Sequence, residues 1–426
     1  MTPPKSLQSA TPEQLEQAVA FNHQELFRQE ALALGGGIVQ SDGLFYTTGT
    51  PHSASMIAFP GLTDENAGRE LDAMVTFYLR YPPGSAGCWS LDPPHPVHLG
   101  VSLLARGFQP GWRPHWMALD LGQVQSNFPI PKGLTIVRDN ESSLIAVRNL
   151  PYARVVVPRV SDAAFPGQWV RMVASIRGRV VGQSVVFLTA GEWGVAGIYH
   201  VGVVPRARGK GIGKAVTLAV CRYAKEMGYR YAVLNSTDIG RHTYRQLGFR
   251  TVGDGWTWWM TTERLIARPP APVEVRLAEA VGRGDEVELA SFRADHPAFD
   301  LNRLLTNGMS LIQLAVHCRQ PVAAAWLVEG GSDYTALDAW DLGWKDRARQ
   351  LLEADRQQIQ RLYGQEEKSL LHVAAERNDA ELAELALSAG SDPHWRDNTW
   401  KATPLEWANH FGYTTIARII QETRLR

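Results

Sequence analysis

The stretch Arg208-Gly209-Lys210-Gly211-Ile212-Gly213-Lys214 limits this chain more than any other. It follows a Val- and Ile-rich run, Ile198 to Val204. It opens an apolar-periodic segment from about Gly211 to Met227 that reads as a helix closed by Gly228. A strand thus runs through a glycine-rich turn into a helix. Closely spaced glycines let a phosphate approach the backbone, and the first N–H groups of the helix point at it. Arg208, Lys210 and Lys214 add positive charge. The stretch reads as a pyrophosphate cradle. A P-loop needs Gly, four residues, then Gly-Lys-Ser/Thr. Here Gly209 and Gly213 stand one residue too close, and Ala215 replaces the hydroxyl that holds magnesium. A dinucleotide turn needs Gly-x-Gly-x-x-Gly and an acid about 20 positions on. The glycines at 209, 211 and 213 do not keep that spacing.

Charge marks the same region. The whole chain is formally neutral, with 43 basic and 43 acidic side chains over 426 residues. Along the chain the balance is about −4 for residues 1–133, +10 for 134–265 and −6 for 266–426. A basic segment between acidic neighbours suggests a small polyanionic ligand, or charge-complementary docking between domains, and the overall neutrality argues against a dedicated nucleic-acid binder. The length predicts two to four domains, and 45% hydrophobic residues excludes wholesale disorder. No apolar run reaches the roughly 18 residues of a membrane span. Met1 to Ala10 has one Lys and no apolar core, so no secretory signal is expected. Cys88, Cys221 and Cys318 are too scattered for a disulfide framework or a zinc site. A soluble cytoplasmic protein is the expectation.

Two linkers divide the chain where the charge balance changes. Gln123 to Lys132 contains Pro129 and Pro131, and Arg268-Pro269-Pro270-Ala271-Pro272 tolerates neither helix nor central strand. Before the first linker, Pro12 to Leu34 reads as a helix ended by Gly35-Gly36-Gly37. Between the linkers, strands are expected at Leu134–Val137, Trp169–Ile176, Val180–Leu188, Ile198–Val204 and Tyr231–Leu234. Arg177-Gly178-Arg179 fits a hairpin turn between two of them.

Arg208-Gly209-Lys210-Gly211-Ile212-Gly213, an Arg-x-x-Gly-x-Gly run after Val203-Val204-Pro205, resembles the acetyl-CoA motif of the GCN5-related N-acetyltransferases (GNAT). Tyr244-Arg245-Gln246-Leu247-Gly248-Phe249 resembles the closing helix and Leu-Gly-Phe turn of the same family. The resemblance spans about residues 134–260 and implies a mixed sheet whose two central parallel strands splay to admit acetyl-CoA. It implies that Val201 and Val203 pair with the pantetheine arm. Arg208, Gly209, Gly211 and Gly213 would hold the pyrophosphate, with Lys210 and Lys214 as looser candidates. Tyr244 matches the tyrosine that protonates the leaving sulfur. His200 stands where many members carry a basic Glu, with Glu192 or a water relay as fallback. Thr237 replaces the usual Asn near pantetheine, with Asn235, Ser236 and Asp238 as polar alternatives.

Two further likenesses complete the reading. Leu104-Ala105-Arg106-Gly107-Phe108 and Trp116–Leu119 echo Leu247-Gly248-Phe249 and Trp256–Met260. Residues 1–125 thus resemble a degenerate first GNAT copy that lacks the glycine motif. Gly194-Val195-Ala196-Gly197-Ile198-Tyr199 looks like the bacterial tandem members. Residues 274–426 show self-similarity at Ser369–Ala375, Thr403–Ala408 and Ser310–Ala315, more weakly at Ala336–Ala339, with alanines recurring at 280, 315, 339, 374 and 408. This part resembles an ankyrin-repeat array, in which the short step from 315 to 339 leaves one hairpin finger out. His372 sits at the repeat's structural His. The expected fold is therefore an α/β GNAT fold in tandem (1–125 and 134–265) with an all-α ankyrin solenoid. The expected function is acetyl transfer from acetyl-CoA, without metal, to a small amine or to a protein lysine or N-terminus. The array would bind a protein partner, with no nucleic acid or membrane involved. Among 14 Trp, Trp193, Trp256, Trp258 and Trp259 are candidates for core or acceptor wall. The alternative is a non-catalytic CoA-binding or interaction scaffold acting through the repeats.

Overall fold

The computed structural model describes residues 5–50, 53–124, 130–155, 167–364 and 366–424. They form two compact units, Met1–Val275 and Arg276–Arg426.

The first unit opens with α1 (Pro12–Ala33). Thr11 caps it, its hydroxyl accepting from the Gln14 N–H while the Gln14 side chain accepts from the Thr11 N–H. Gly35, at φ +78°, ends it. Then follow β1 (Gly37–Gln40), β2 (Phe45–Thr48), β3 (Ala54–Ala58), α2 (Ala67–Arg80), β4 (Ser85–Leu91), α3 (Leu99–Ala105), β5 (Gln109–Pro110) and β6 (His115–Asp120). Part of the first expected linker, 125–129, lies outside the described residues. Beyond it come β7 (Leu134–Arg138), β8 (Trp169–Ile176), β9 (Arg179–Leu188), β10 (Ala196–Val203), α4 (Ile212–Glu226), β11 (Tyr231–Ser236), α5 (Asp238–Arg245), β12 (Arg250–Thr261) and α6 (Thr262–Ala267). The elements expected here are present, their ends moved by at most two residues. Arg177 and Gly178 both take positive φ, the conformation of a tight two-residue hairpin turn.

The described strands share one sheet in the order β1-β2-β3-β4-β12-β6-β11-β10-β9-β8-β7, with β5 beside β12. Two pairs are parallel, β3 with β4 and β10 with β11. Each needs a crossover, which α2 and α4 supply. β3 and β4 stay together from Ala54↔Ser85 to Ala58↔Trp89. β10 and β11 pair only at Ala196↔Ala232 and Gly197↔Val233, then part.

The last strands of the two segments are exchanged. β6 lies between β11 and β12, while β12 begins against β6 and ends against β4. The boundary expected near 125–134 is therefore not a packing boundary, because each side completes its sheet with the other's final strand. The echo at the two Gly-Phe turns is structural as well. Gly107 and Gly248 take φ +96° and +95°, and the N–H groups of Phe108 and Phe249 donate to Leu103 and Tyr244 carbonyls respectively. Both phenylalanines are buried.

In the second unit, α7 (Pro272–Arg283), which starts before its boundary, and α8 (Glu286–Asp295) lead into four helix pairs. These are α9 (Leu311–His317) with α10 (Pro321–Glu329), and α11 (Ala336–Asp341) with α12 (Lys345–Ala354). After α13 (Arg356–Gln360) come α14 (Leu370–Arg377) with α15 (Ala380–Ser388), and α16 (Pro404–Phe411) with α17 (Thr414–Arg424). Ser310, Thr335, Ser369 and Thr403 start the first helix of each pair through reciprocal capping boxes. The alanines at 280, 315, 339, 374 and 408 are all buried. His372 bridges the Ser369 hydroxyl and the Ala402 carbonyl, at 2.8 and 3.0 Å, a structural role. The helix pairs are compatible with a helical repeat.

Two predictions follow from this architecture. Residues 134–275 alone lack β6, so they are expected to show no cooperative thermal transition by circular dichroism, whereas residues 1–275 show one. In the second unit, Asp397 is fully buried and accepts from the Thr399, Trp400 and Ala402 N–H groups and the Trp407 indole. Burial acts to raise its pKa, but these bonds outweigh it and hold the carboxyl below its usual range. Its stabilisation is present above the unfolded value, about 3.9, and is lost as pH falls through the depressed folded one. Asp397→Ala is expected to cost about 3 kcal/mol or more at pH 7 in urea unfolding.

Candidate functional site

The site starts where β10 leaves β11. Past Gly197, β10 keeps β9 on one side, with Gly202↔Gln183 and Val203↔Gly182, but among the described residues has no strand on the other. Val201 and Val203, both half-buried, lie on this open stretch. The ladder to β9 shifts register between Tyr199 and Gly202, so one extra residue bulges there. His200 sits in the bulge at φ +53°, a left-handed conformation that a β-carbon disfavours.

The chain then makes a single 3-10 turn, Pro205–Ala207, and enters the glycine run. Gly209 and Gly211 take φ +73° and +77°, and Gly211 is the N-cap of α4. A β-carbon at Gly209 would meet nothing within 4 Å, and one at Gly211 only Pro131 at 3.8 Å. Internal crowding therefore does not demand these glycines. Backbone conformation does, and the space above them stays open to a ligand. Gly213 has an ordinary φ, and its β-carbon would make normal contact with Val203 at 3.7 Å. The first N–H groups of α4 face out of this turn without side-chain caps. Arg208 and Lys210 are exposed and have no carboxylate partner among the described residues, their side chains reaching only the Val203 and Arg206 carbonyls. Lys214 donates to Gln246 on the segment after α5. Uncapped N–H groups, open glycines and cations fit a pyrophosphate.

Across the opening, β11 runs into α5. Thr237 is the N-cap of α5, its hydroxyl accepting from the Gly240 N–H at 3.2 Å, and the hydroxyl proton remains to be donated. Tyr244, near the end of α5, packs edge-on against Phe249 with ring centroids 5.9 Å apart. Burial, then the nearby Tyr152 and Cys221, push its hydroxyl up to about 12. It therefore stays protonated at neutral pH.

Tyr152 links the two sides. Its ring lies 5.4 Å from that of His200, and it stands close enough to Tyr244 to raise that group's pKa. His200 Nε2 meets Glu30 Oε1 of α1 at 3.1 Å. Neither Tyr152 nor Glu30 was signalled by any motif, and Glu30 lies 170 residues from its partner. Glu192, the fallback base, is exposed in the loop before β10, at the strand's other end. Trp258 is buried against Gly100 of α3, and Trp259 packs on Gly87 of β4. Trp256 lies under the Arg113 guanidinium at 4.0 Å, and half-buried Trp193 joins the core around Trp89 and Trp116. These tryptophans pack the β4 side of the sheet rather than the opening. Among the described residues no group of His, Cys, Asp or Glu could hold a metal ion, and no helix is long and apolar enough to cross a membrane.

Comparison with known proteins places this geometry. Residues 144–249 match the model of the Acetyltransferase (GNAT) family. A stretch of 56 residues is 45% identical to a mycothiol acetyltransferase of Pseudarthrobacter chlorophenolicus. That match covers 12% of this chain and 17% of that relative. Among solved structures, a GCN5-related N-acetyltransferase from Kribbella flavida is similar at a TM-score of 0.44 and 18% identity, over 57% of this chain and 95% of that one. A tandem GNAT protein from the clavulanic acid biosynthesis pathway is similar at a TM-score of 0.38 and 16% identity, over 58% of this chain and 96% of its own.

The cradle yields a direct test. Gly211→Glu places an anion in the open space and forces a side chain to φ +77°, which costs about 1–2 kcal/mol. Calorimetric titration is expected to show acetyl-CoA binding by the wild type and none by the variant, which still melts cooperatively a few degrees lower.

Proposed function

We propose that this protein is an acetyl-CoA-dependent N-acetyltransferase that acts by direct transfer to an amine. The observation that carries this reading is the parting of β10 from β11 directly above an open glycine cradle, inside the segment that matches the GNAT family. In this reading the free edge at Val201 and Val203 pairs with the pantetheine arm, and Arg208, Gly209, Gly211 and Gly213 hold the pyrophosphate. Lys210 and Lys214 add charge, and Thr237 offers its proton to the arm.

His200 serves as the base and Tyr244 as the acid. The acceptor nitrogen bonds the acetyl carbon and passes a proton to His200. The carbon–sulfur bond breaks, and the sulfur takes a proton from Tyr244, which solvent replaces. His200 returns its proton to solvent, so charge and atoms balance. Tyr244's raised pKa suits an acid that must stay protonated.

The first segment reads as a degenerate first copy of the same fold. Its parallel strands stay closed to Ala58↔Trp89, and the Phe59 N–H donates to the Trp89 carbonyl. The residue at the position of Tyr244 in its Gly-Phe turn is Leu103. A strand pair without an opening and a turn without a phenol leave no place for the chemistry. The second unit reads as an ankyrin-type array for a protein partner, supported by its capped helix pairs and repeating buried alanines. The acceptor is a small amine or a protein lysine or N-terminus.

A thiol-detection assay of CoA release over a panel of amines and lysine peptides tests the reading. Amine-dependent release is expected from the wild type. Tyr244→Phe should keep acetyl-CoA affinity and lower kcat on the order of 100-fold. Release independent of any amine, or unchanged kcat in the variant, would overturn the proposed chemistry.

A further inference from the structure

The base proposed above does not stand alone, and its partner comes from the first segment. α1 is anchored on β10 at the point where that strand parts from β11. Asn22 Nδ2 donates to the Val195 carbonyl at 3.2 Å, the Phe187 carbonyl at 3.3 Å and the Thr189 hydroxyl at 3.0 Å. Its Oδ1 accepts from the Tyr199 hydroxyl at 2.7 Å. The approach is so close that a β-carbon on Gly197 would stand 1.9 Å from Asn22 Oδ1. Two helical turns further along α1, Glu30 reaches His200 Nε2 at 3.1 Å, with the two side chains 25% and 17% exposed.

The tautomer follows from the partner. An ionised carboxylate only accepts, so Nε2 carries the hydrogen and donates it to Glu30. Nδ1 has no hydrogen-bond partner among the described residues and is left as the accepting nitrogen. The other groups facing His200 do not compete for this bond. Tyr152 meets it ring to ring, with centroids 5.4 Å apart and the planes tilted by 54°. Tyr199 spends its hydroxyl on Asn22. His23 of α1 is buried among Phe27, Trp89 and Tyr199, and burial first, with His200 second, holds its pKa down to about 3, so it stays neutral.

We propose that Glu30 is a positioning residue that holds His200 in the Nδ1-basic tautomer, turned toward the acceptor amine, so that the catalytic dyad is assembled from both segments of the first unit. It rests on the reading of His200 as base. When His200 accepts the acceptor's proton at Nδ1, the Nε2–H bond to Glu30 holds the resulting imidazolium, and no atom leaves the pair. The logic is that of a carboxylate orienting the base of a nucleophilic triad. The first segment thus contributes to the site although its own strands are closed.

The test uses the full chain with Glu30→Gln, Glu30→Ala, His200→Ala and the Glu30→Gln/His200→Ala double variant, each titrated with acetyl-CoA and assayed for CoA release with an accepted amine. The Gln amide oxygen still accepts from Nε2 but carries no charge. Expected is a kcat lowered about 10-fold or more in Glu30→Gln and further in Glu30→Ala, with acetyl-CoA affinity and amine KM near wild type. The double variant should be no slower than His200→Ala. A Glu30→Gln that raises amine KM at unchanged kcat overturns the proposal and makes Glu30 a substrate-binding carboxylate. Additive losses in the double variant overturn it too. A His200→Ala of wild-type rate removes the base reading itself, while a slow His200→Ala beside a wild-type Glu30→Gln removes only the dyad. Loss of acetyl-CoA binding in Glu30→Ala would assign Glu30 to folding, and Glu30→Gln then decides alone.

Discussion

Everything at the site depends on two parallel strands that stop pairing. β10 and β11 hold each other at Ala196↔Ala232 and Gly197↔Val233 and then diverge. Backbone donors and acceptors that lose a strand must find another partner or water. A sheet interior that opens this way exchanges ladder bonds for a slot between the two strands. The slot persists because its walls are held from outside. β9 keeps β10 on one side, β6 keeps β11 on the other, and α1 is pinned by Asn22 across the parting point. The equivalent pair, β3 and β4, has no such divergence and stays zipped along its length.

The exchange of final strands explains why the two segments cannot be treated as beads on a string. β6 carries the Trp116–Leu119 apolar run into the middle of the other segment's sheet, and β12 carries its tryptophans to β4. Burial of these runs is what stabilises the unit, so neither segment holds a full core without the other. That arrangement also fixes α1 relative to β10. A carboxylate from residue 30 then meets an imidazole from residue 200 with the regularity of a single scaffold.

The glycine run, the helix it opens and the Gly-Phe turn were legible because local chemistry dictates them. Positive φ at Gly209, Gly211 and Gly248 admits few other residues, and the spacing is short enough to read along the chain. The strands of 134–265 were legible from their Val- and Ile-rich runs, and the second unit's helix starts from Ser and Thr before apolar runs. What stayed hidden were pairings between distant segments. Strand exchange leaves no signal of its own, because an apolar run such as Trp116–Leu119 on β6 reads the same whichever strands flank it. Glu30 is one of four glutamates on α1, and nothing in its local sequence separates it from Glu25, which pairs with Arg28 at 3.0 Å. The tryptophans left core and acceptor wall both open for the same reason. A stripe on β12 looks the same whether it lines a slot or packs on β4.

The division of labour within the site has a consequence for specificity. In the proposed function the cradle would hold a pyrophosphate through backbone N–H groups and glycine conformation, with Arg208, Lys210 and Lys214 adding charge. The groups near the transfer point are different. His200 comes from a bulge in β10, Tyr152 from the segment before β8, Glu30 from α1 and Tyr244 from α5. Four separate segments meet there, and none of them shapes the glycine run. On the proposed function, substitutions at the acceptor end would change the amine that is accepted without disturbing the phosphate end, and a fold divided in this way would keep one donor and leave the acceptor free to vary.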